Sequence, residues 1–124
     1  MASSSSNKAF VGRAAAALTA AEVAGNAFDL NNAWASQVTV DLTFTLGAIV
    51  NCTVRMYAST DGVTYDPIYD AAGNQFTEVL TADAERCYTV PNLNGWKFFR
   101  VSVQGNAPGG SCAFDYRYLR RGSQ

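Results

Sequence analysis

A chain of 124 residues, 48% of them apolar, has the size and composition of one globular domain with its own core, and is too apolar to be disordered. Only 15% of the residues are charged and the formal net charge is −1, so no overall field would draw the protein to nucleic acid or to an anionic membrane. The absence of histidine excludes Ser-His-Asp and Cys-His catalytic devices and removes the commonest metal ligand. The low share of charge favours a surface that is partly covered, for example by another copy of the chain.

Residues 1–27 are predicted to form an N-terminal arm. They begin with the polar, low-complexity stretch MASSSSNK and continue with an Ala-rich stretch that Arg13 and Glu22 interrupt, so no export signal is predicted. Ala favours a helix, but no apolar stripe develops, which favours an extended arm or an edge strand. We expect the arm to lie against a neighbouring subunit, with Phe10 and Val11 as candidate contacts.

From Phe28 onward the apolar residues recur with a period of two. In QVTVDLTFTL, residues 37–46, the inward positions are Val38, Val40, Leu42, Phe44 and Leu46. In NCTVRMYAS, residues 51–59, they are Cys52, Val54, Met56 and Ala58. A short turn separates these two strands, so they are predicted to pair as an antiparallel hairpin. Further strands are predicted at 64–70, 75–82, 85–91, 96–105 and 112–120.

Seven or eight short strands at this spacing predict an all-β fold, an antiparallel β-sandwich or jelly roll over residues 28–124. The three cysteines, Cys52, Cys87 and Cys112, have wide and irregular spacing and lie in apolar strand patterns, so we expect reduced, buried side chains rather than a disulfide framework or a zinc site. No catalytic residue, cofactor or metal is predicted, although Asp61, Asp66 and Asp70 leave a Ca²⁺ site as a minor alternative.

The stretch STDGVTYDP, residues 59–67, is interpreted as a two-residue hairpin turn with Asp61 and Gly62 at its centre. It resembles the hairpin found in small β-sandwich domains of tailed-phage virion proteins and in galactose-binding-like sandwiches, with Ser59, Asp61, Gly62 and Tyr65 in the matching positions. Together with GWKFFRVSV, residues 95–103, the resemblance spans about residues 28–120.

This resemblance implies a non-enzymatic structural protein of a tailed phage, assembled in the host cytoplasm and located in the virion. Capsid decoration (cement) is the first expectation, and a head–tail neck, tail or fibre component is the alternative. The expected partners are copies of the chain itself and other virion proteins, without a membrane or nucleic acid. Five of the nine basic residues lie in the last 28 positions, and candidate contacts there are Arg117, Arg120 and Arg121.

A carbohydrate-binding module is the rival hypothesis from another class of protein. Its aromatic platform would consist of Trp34, Tyr65 and Trp96. Large aromatic residues more often supply core area, so Trp96 is expected in the core, and Trp34, in a polar stretch, is the better candidate for an exposed contact.

Overall fold

The computed structural model describes residues 8–33, 35, 37–70 and 72–118. They form ten strands and one helical turn: β1 (Lys8–Leu18), β2 (Val23–Ala24), β3 (Phe28–Asp29), α1 (Leu30–Ala33), β4 (Val38–Thr45), β5 (Cys52–Ser59), β6 (Asp66–Pro67), β7 (Thr77–Leu80), β8 (Ala84–Val90), β9 (Phe98–Gly105) and β10 (Gly109–Tyr118). The all-β prediction is confirmed. The strand number is higher than predicted because β2, β3 and β6 have two residues each, too few to show alternation.

Two antiparallel sheets pack face to face as a sandwich. The first sheet has the order β1-β10-β4-β8, and the second has β9 and β5 at its centre. Strands β2 and β3 pair with the outer side of β9, and β6 and β7 pair with the outer side of β5. The chain passes from one sheet to the other at most connections, so most strands pair with partners that are distant in the sequence.

The inward faces of β4 and β5 were predicted correctly, but the hairpin between them was wrong. Eight of the nine predicted inward residues are buried, and the ninth, Leu46, follows the end of β4 and is half-buried against the core. However, β4 pairs with β10 and β8 in the first sheet, whereas β5 pairs with β9, β6 and β7 in the second. The two apolar faces meet across the core, which buries both of them, while a hairpin would place both on the same side.

Residues 8–18 of the predicted arm form β1, an edge strand of the chain's own first sheet. It pairs with β10 from Lys8↔Tyr118 to Leu18↔Gly109, with register irregularities between. Of the conformations that the sequence analysis considered, an extended arm or an edge strand, residues 8–18 form the edge strand. Strand β1 belongs to the first sheet and β2 to the second. The division into an arm, 1–27, and a sandwich, 28–124, stays a proposal, as does an arm that grips neighbours.

One side of the sandwich is closed where β1 and β10 approach β2 and β3. The backbone N–H of Asn26 donates to the carbonyl of Gly12 over 2.7 Å, and its side chain donates to the carbonyl of Val11 over 3.0 Å. The approach requires glycine: a Cβ on Gly12 would lie 2.5 Å from the Phe114 ring, and a Cβ on Gly25 would lie 2.6 Å from it. Both glycines let the backbone lie directly on an aromatic ring.

The opposite side, between β8 of the first sheet and β6 and β7 of the second, is open. Arg86 and Tyr88 on β8 reach across to Glu78 on β7, Arg86 by an ion pair of 3.4 Å and Tyr88 by a hydrogen bond. The Phe76 and Tyr88 rings meet edge to face with centroids 5.5 Å apart. Within the part of the chain described, no helix has the length and apolar character needed to cross a bilayer.

Candidate interaction surfaces

Strand β1 forms one edge of the first sheet and exposes apolar side chains. Phe10 is 42% exposed and Val11 is 52% exposed, and the four alanines that follow Arg13 are exposed as well. Phe10 keeps part of its ring on the sandwich, 5.7 Å from the Phe28 ring and 6.2 Å from the Tyr116 ring. A long edge strand with unpaired backbone groups and apolar side chains is a template for pairing with another chain.

The Arg13 side chain bonds backbone carbonyl groups of β1 and β10 that the ladder between these strands would otherwise pair. Its Nε donates to the carbonyl of Cys112 over 3.0 Å, and its Nη2 donates to the carbonyl of Ala17 over 2.9 Å. These bonds fill the places where the ladder between β1 and β10 is irregular. Arg13, the charged residue in the middle of β1, therefore points onto the backbone. It does not project outward, where a charge would hinder pairing with another strand.

The other predicted contact residues divide into two groups. Arg117 lies on β10 and forms an ion pair with Asp41 on β4, on the outer face of the first sheet, with half of its side chain exposed. Trp34, Arg120 and Arg121 lie outside the described residues.

The loop that contains Asp61 and Gly62 joins β5 to β6, but it is longer than predicted. The pairing ends at Ala58↔Asp66, and only Gly62 has a left-handed backbone, with φ of 79°, so a two-residue turn that needs two such residues is wrong. Asp61 Oδ1 accepts from the backbone N–H groups of Val63 and Thr64 over 2.8 and 2.9 Å. These hydrogen bonds lower the pKa of Asp61.

The Ser59 side chain completes the loop from the strand side. Its Oγ accepts from the backbone N–H groups of Asp61 and Gly62 over 3.2 and 2.8 Å, and it donates to Asp61 Oδ1 over 3.0 Å. Asp70 similarly accepts from the N–H groups of Ala72 and Asn74. Both aspartates therefore organise backbone turns, and the residues described contain no cluster of three acidic or cysteine side chains able to hold a metal ion.

A cleft of about 740 Å³ occupies the open side of the sandwich. Trp96, which packs partly against the core, lines this cleft together with Tyr69, Phe76 and Tyr88. Tyr65 lines a different recess, on the outer face of the second sheet. Tyr65 and Trp96 therefore do not form one aromatic platform of the kind that the carbohydrate-binding hypothesis expected.

That recess, called the Arg100 recess below, has a volume of about 310 Å³. Arg100 and Ser102 on β9 and Tyr57 on β5 form its floor, because outward positions of these paired strands are neighbours across the sheet. Its full lining is Glu22, Ala24, Tyr57, Tyr65, Arg100 and Ser102.

Glu22 lies at the centre of a hydrogen-bond network in the Arg100 recess. Its carboxylate accepts from the Tyr57 hydroxyl over 2.6 Å and from the Ser102 hydroxyl, and it forms an ion pair of 3.4 Å with Arg55. Partial burial raises the pKa of Glu22, but the two hydrogen bonds and the charges of Arg55 and Arg100 outweigh burial, so the net shift of its pKa is downward. The carboxylate is therefore ionised and fully engaged.

The cysteines only partly match the expectation of buried thiols. Cys52 and Cys112 are fully buried in the core, on opposite sheets, and neither forms a disulfide. Cys87 is exposed, which corrects the prediction. It pairs with Asp41, so its side chain points to the outer face of the first sheet, where its hydrogen bond to Asp41 raises the pKa of the thiol.

The Arg100 recess and the cleft were both missed in the sequence. Alternation indicates that Tyr57, Arg100 and Ser102 point outward, because their inward neighbours are apolar. It does not indicate that β5 and β9 are adjacent, since the 38 residues from 60 to 97 separate them in the chain. The missing information is strand order, which local patterns do not encode.

The fold and its surfaces define a small antiparallel β-sandwich with an exposed apolar edge and no recognisable catalytic site among the described residues. No protein family model and no curated protein matches the chain. The solved structures similar to it include the SPBc2 prophage-derived protein YomS, with a TM-score of 0.62 and 13% identity over 92% of this chain and 93% of YomS.

A second similar structure comes from work on Bacillus endospore appendages, described as a novel family of disulfide-linked pili. Its TM-score is 0.54, with 15% identity over 94% of this chain and 90% of the appendage chain. At these identities the likeness establishes the fold, which a prophage-derived protein and a pilus subunit share with this chain. A galactose-binding-like hairpin is not among the features that these structures support.

Proposed function

We propose that this chain is a non-enzymatic structural protein of a tailed-phage particle and that it acts by associating with copies of itself and with other virion proteins. Capsid decoration is the role we place first, and a neck, tail or fibre position is the alternative. The prophage origin of YomS and the pilus assembly of the Bacillus neighbour support a structural role. The sequence, which contains no histidine, also favours a role without acid–base catalysis.

The observation that carries the proposal is the outer edge of β1. The strand has 11 residues, exposes Phe10 and Val11, and has its central cation, Arg13, turned onto the backbone. Asn26 already bonds the carbonyls of Val11 and Gly12, so an added strand would pair with the other outward backbone groups of β1 and cover its apolar side chains. Binding that requires the assembled form of a partner stabilises that form by mass action, and many copies on one lattice add avidity.

The experiment compares the full chain with an edge variant, Val11→Lys with Ala15→Lys, in which two exposed side chains of β1 become cations. Light scattering over a range of concentrations measures self-association, and co-sedimentation measures binding to phage capsids and to isolated tails. We expect the unmodified chain to associate or to sediment with a particle, and the edge variant to remain at the 13.2 kDa of a single chain. Sedimentation with capsids supports decoration, and sedimentation with tails supports the alternative.

The matched control is Val63→Lys, which adds a cation at a position that is 83% exposed in the loop after β5. It should behave like the unmodified chain. A chain that stays monomeric and binds neither capsids nor tails would overturn the proposed function, as would an edge variant that assembles normally.

A further inference from the structure

Arg100 is the one arginine in the second sheet that has no acceptor. Arg55 bonds Glu22 and Gln104, whereas the side chain of Arg100 forms no hydrogen bond or ion pair with a described residue. Its Nε is buried without a partner, and its guanidinium carbon lies 3.8 Å from the centre of the Tyr65 ring. Buried donors are nearly always satisfied in folded proteins, and an exception points to a ligand or a function.

The acceptor that completes this group is an anion. Arginine stays protonated at all physiological pH values and presents its N–H groups as a planar fork, which matches the two oxygens of a carboxylate. Glu22, in the lining of the Arg100 recess, interacts with two guanidinium groups, that of Arg55 beside the recess and that of Arg100 within it, and these three charges leave one positive charge. One monovalent anion would balance it.

The rest of the recess offers groups that suit hydroxyls. The Tyr57 and Ser102 hydroxyls donate to Glu22, so their oxygen lone pairs remain free to accept from a ligand. Tyr65 adds an aromatic wall beside the guanidinium. A volume of about 310 Å³ is at the lower end of the range for ligand pockets, which suits one or two sugar rings rather than a section of a long chain.

We propose that the Arg100 recess binds an acidic saccharide, a hexuronate whose carboxylate pairs with the Arg100 guanidinium while its hydroxyls donate to Tyr57 and Ser102. A single anionic group, neighbouring hydroxyl donors and an apolar ring face are the three features that the recess complements. The inference goes beyond the proposed structural role and does not depend on self-association.

The test titrates isotope-labelled full chain with glucuronate and galacturonate, with the neutral sugars glucose and galactose, and with acetate, and follows amide chemical shifts. We expect saturable shifts at Tyr57, Arg100 and Ser102 for the uronates, with dissociation constants in roughly the millimolar range. Glucose, galactose and acetate should bind at least about 10-fold more weakly, because each lacks one part of the recognition. Equal binding of acetate would show that the recess recognises charge alone and would overturn the saccharide assignment.

Arg100→Gln should weaken uronate binding by about 10- to 100-fold, since it removes a charge-assisted pair of hydrogen bonds. We expect this variant to fold, because Arg100 has no internal hydrogen bond to lose; Tyr65→Phe, which keeps the ring, is a second variant with an intact fold and should retain binding. The matched control is Arg86→Gln, which removes one positive charge on the open side of the sandwich and should leave binding unchanged. Unsaturable shifts, or equal affinity in Arg100→Gln, would refute the site.

Discussion

Replacing Tyr116 with phenylalanine removes one oxygen atom and should destabilise the whole sandwich. Tyr116 projects from β10 of the first sheet through the core, and its hydroxyl fills the gap between β2 and β3 in the second sheet. There it accepts from the backbone N–H of Val101 over 3.1 Å and donates to the carbonyl of Asn26 over 2.8 Å. One side chain thus completes the ladder of the opposite sheet.

The magnitude follows from what the substitution leaves unpaired. Val101 is 0% exposed, so its N–H would lose its only acceptor without access to water, which costs about 1–3 kcal/mol. Asn26 is exposed, and water can replace the lost donor there at a cost of roughly 0.5 kcal/mol. We therefore expect a loss of about 2–3 kcal/mol, which lowers Tm by about 10 °C in a domain of this size.

Urea unfolding monitored by fluorescence and thermal unfolding monitored by circular dichroism both measure this loss. The control is Tyr69→Phe, because Tyr69 is 61% exposed and its stability should change by less than about 0.5 kcal/mol. If Tyr116→Phe were as stable as the control, the hydroxyl would not be what satisfies Val101 and Asn26, and the account of how the closed side is held together would fail.

Three further predictions concern single residues. Gly12→Ala places a Cβ 2.5 Å from the Phe114 ring and should lower the free energy of unfolding by about 1–3 kcal/mol, measured by urea denaturation; an unchanged midpoint would contradict the close approach. Asp61 has a lowered pKa in the folded state, so the stability that it contributes is present above the ordinary aspartate pKa and is lost as pH falls through the lower, folded value. The stability difference between the unmodified chain and Asp61→Asn should therefore shrink on acidification, and a difference that is constant from neutral pH to about pH 2 would argue against it. Cys87 should be the one thiol of the three that reacts rapidly with a disulfide reagent in the folded chain. Asp41→Asn should speed this reaction, because the Asp41 carboxylate raises the pKa of the thiol. Three equally fast thiols, or no acceleration in the variant, would contradict the assigned positions.

The sequence predicts the inward faces of the strands because a period of two is a local property. Val38 to Phe44 and Cys52 to Ala58 are buried where alternation places them. Partner choice is not local, and the hairpin predicted between β4 and β5 fails for that reason. The connection between these strands is short enough for a hairpin, but burying both apolar faces requires them to lie in opposite sheets.

Short strands and surface sites were harder to predict for related reasons. Val23 and Ala24 pair with β9 although two residues show no period, and their place is the side of β9 that faces away from β5. The Arg100 recess depends on Glu22, which precedes β2, and on Tyr65, which follows β5. Nothing in the chain near either residue indicates that they come together.

The pairing of β1 with β10 has a consequence for how the protein is made. Strand β1 leaves the ribosome well before β10 and finds its partner only when β10 has been synthesised, since Lys8 pairs with Tyr118. Until then, the first sheet lacks the strand that joins β1 to β4, and contacts this distant in the chain form slowly. During that interval the β1 of one nascent chain can pair with the β10 of another chain on the same polysome. The same strand exchange between two finished copies would produce a domain-swapped dimer.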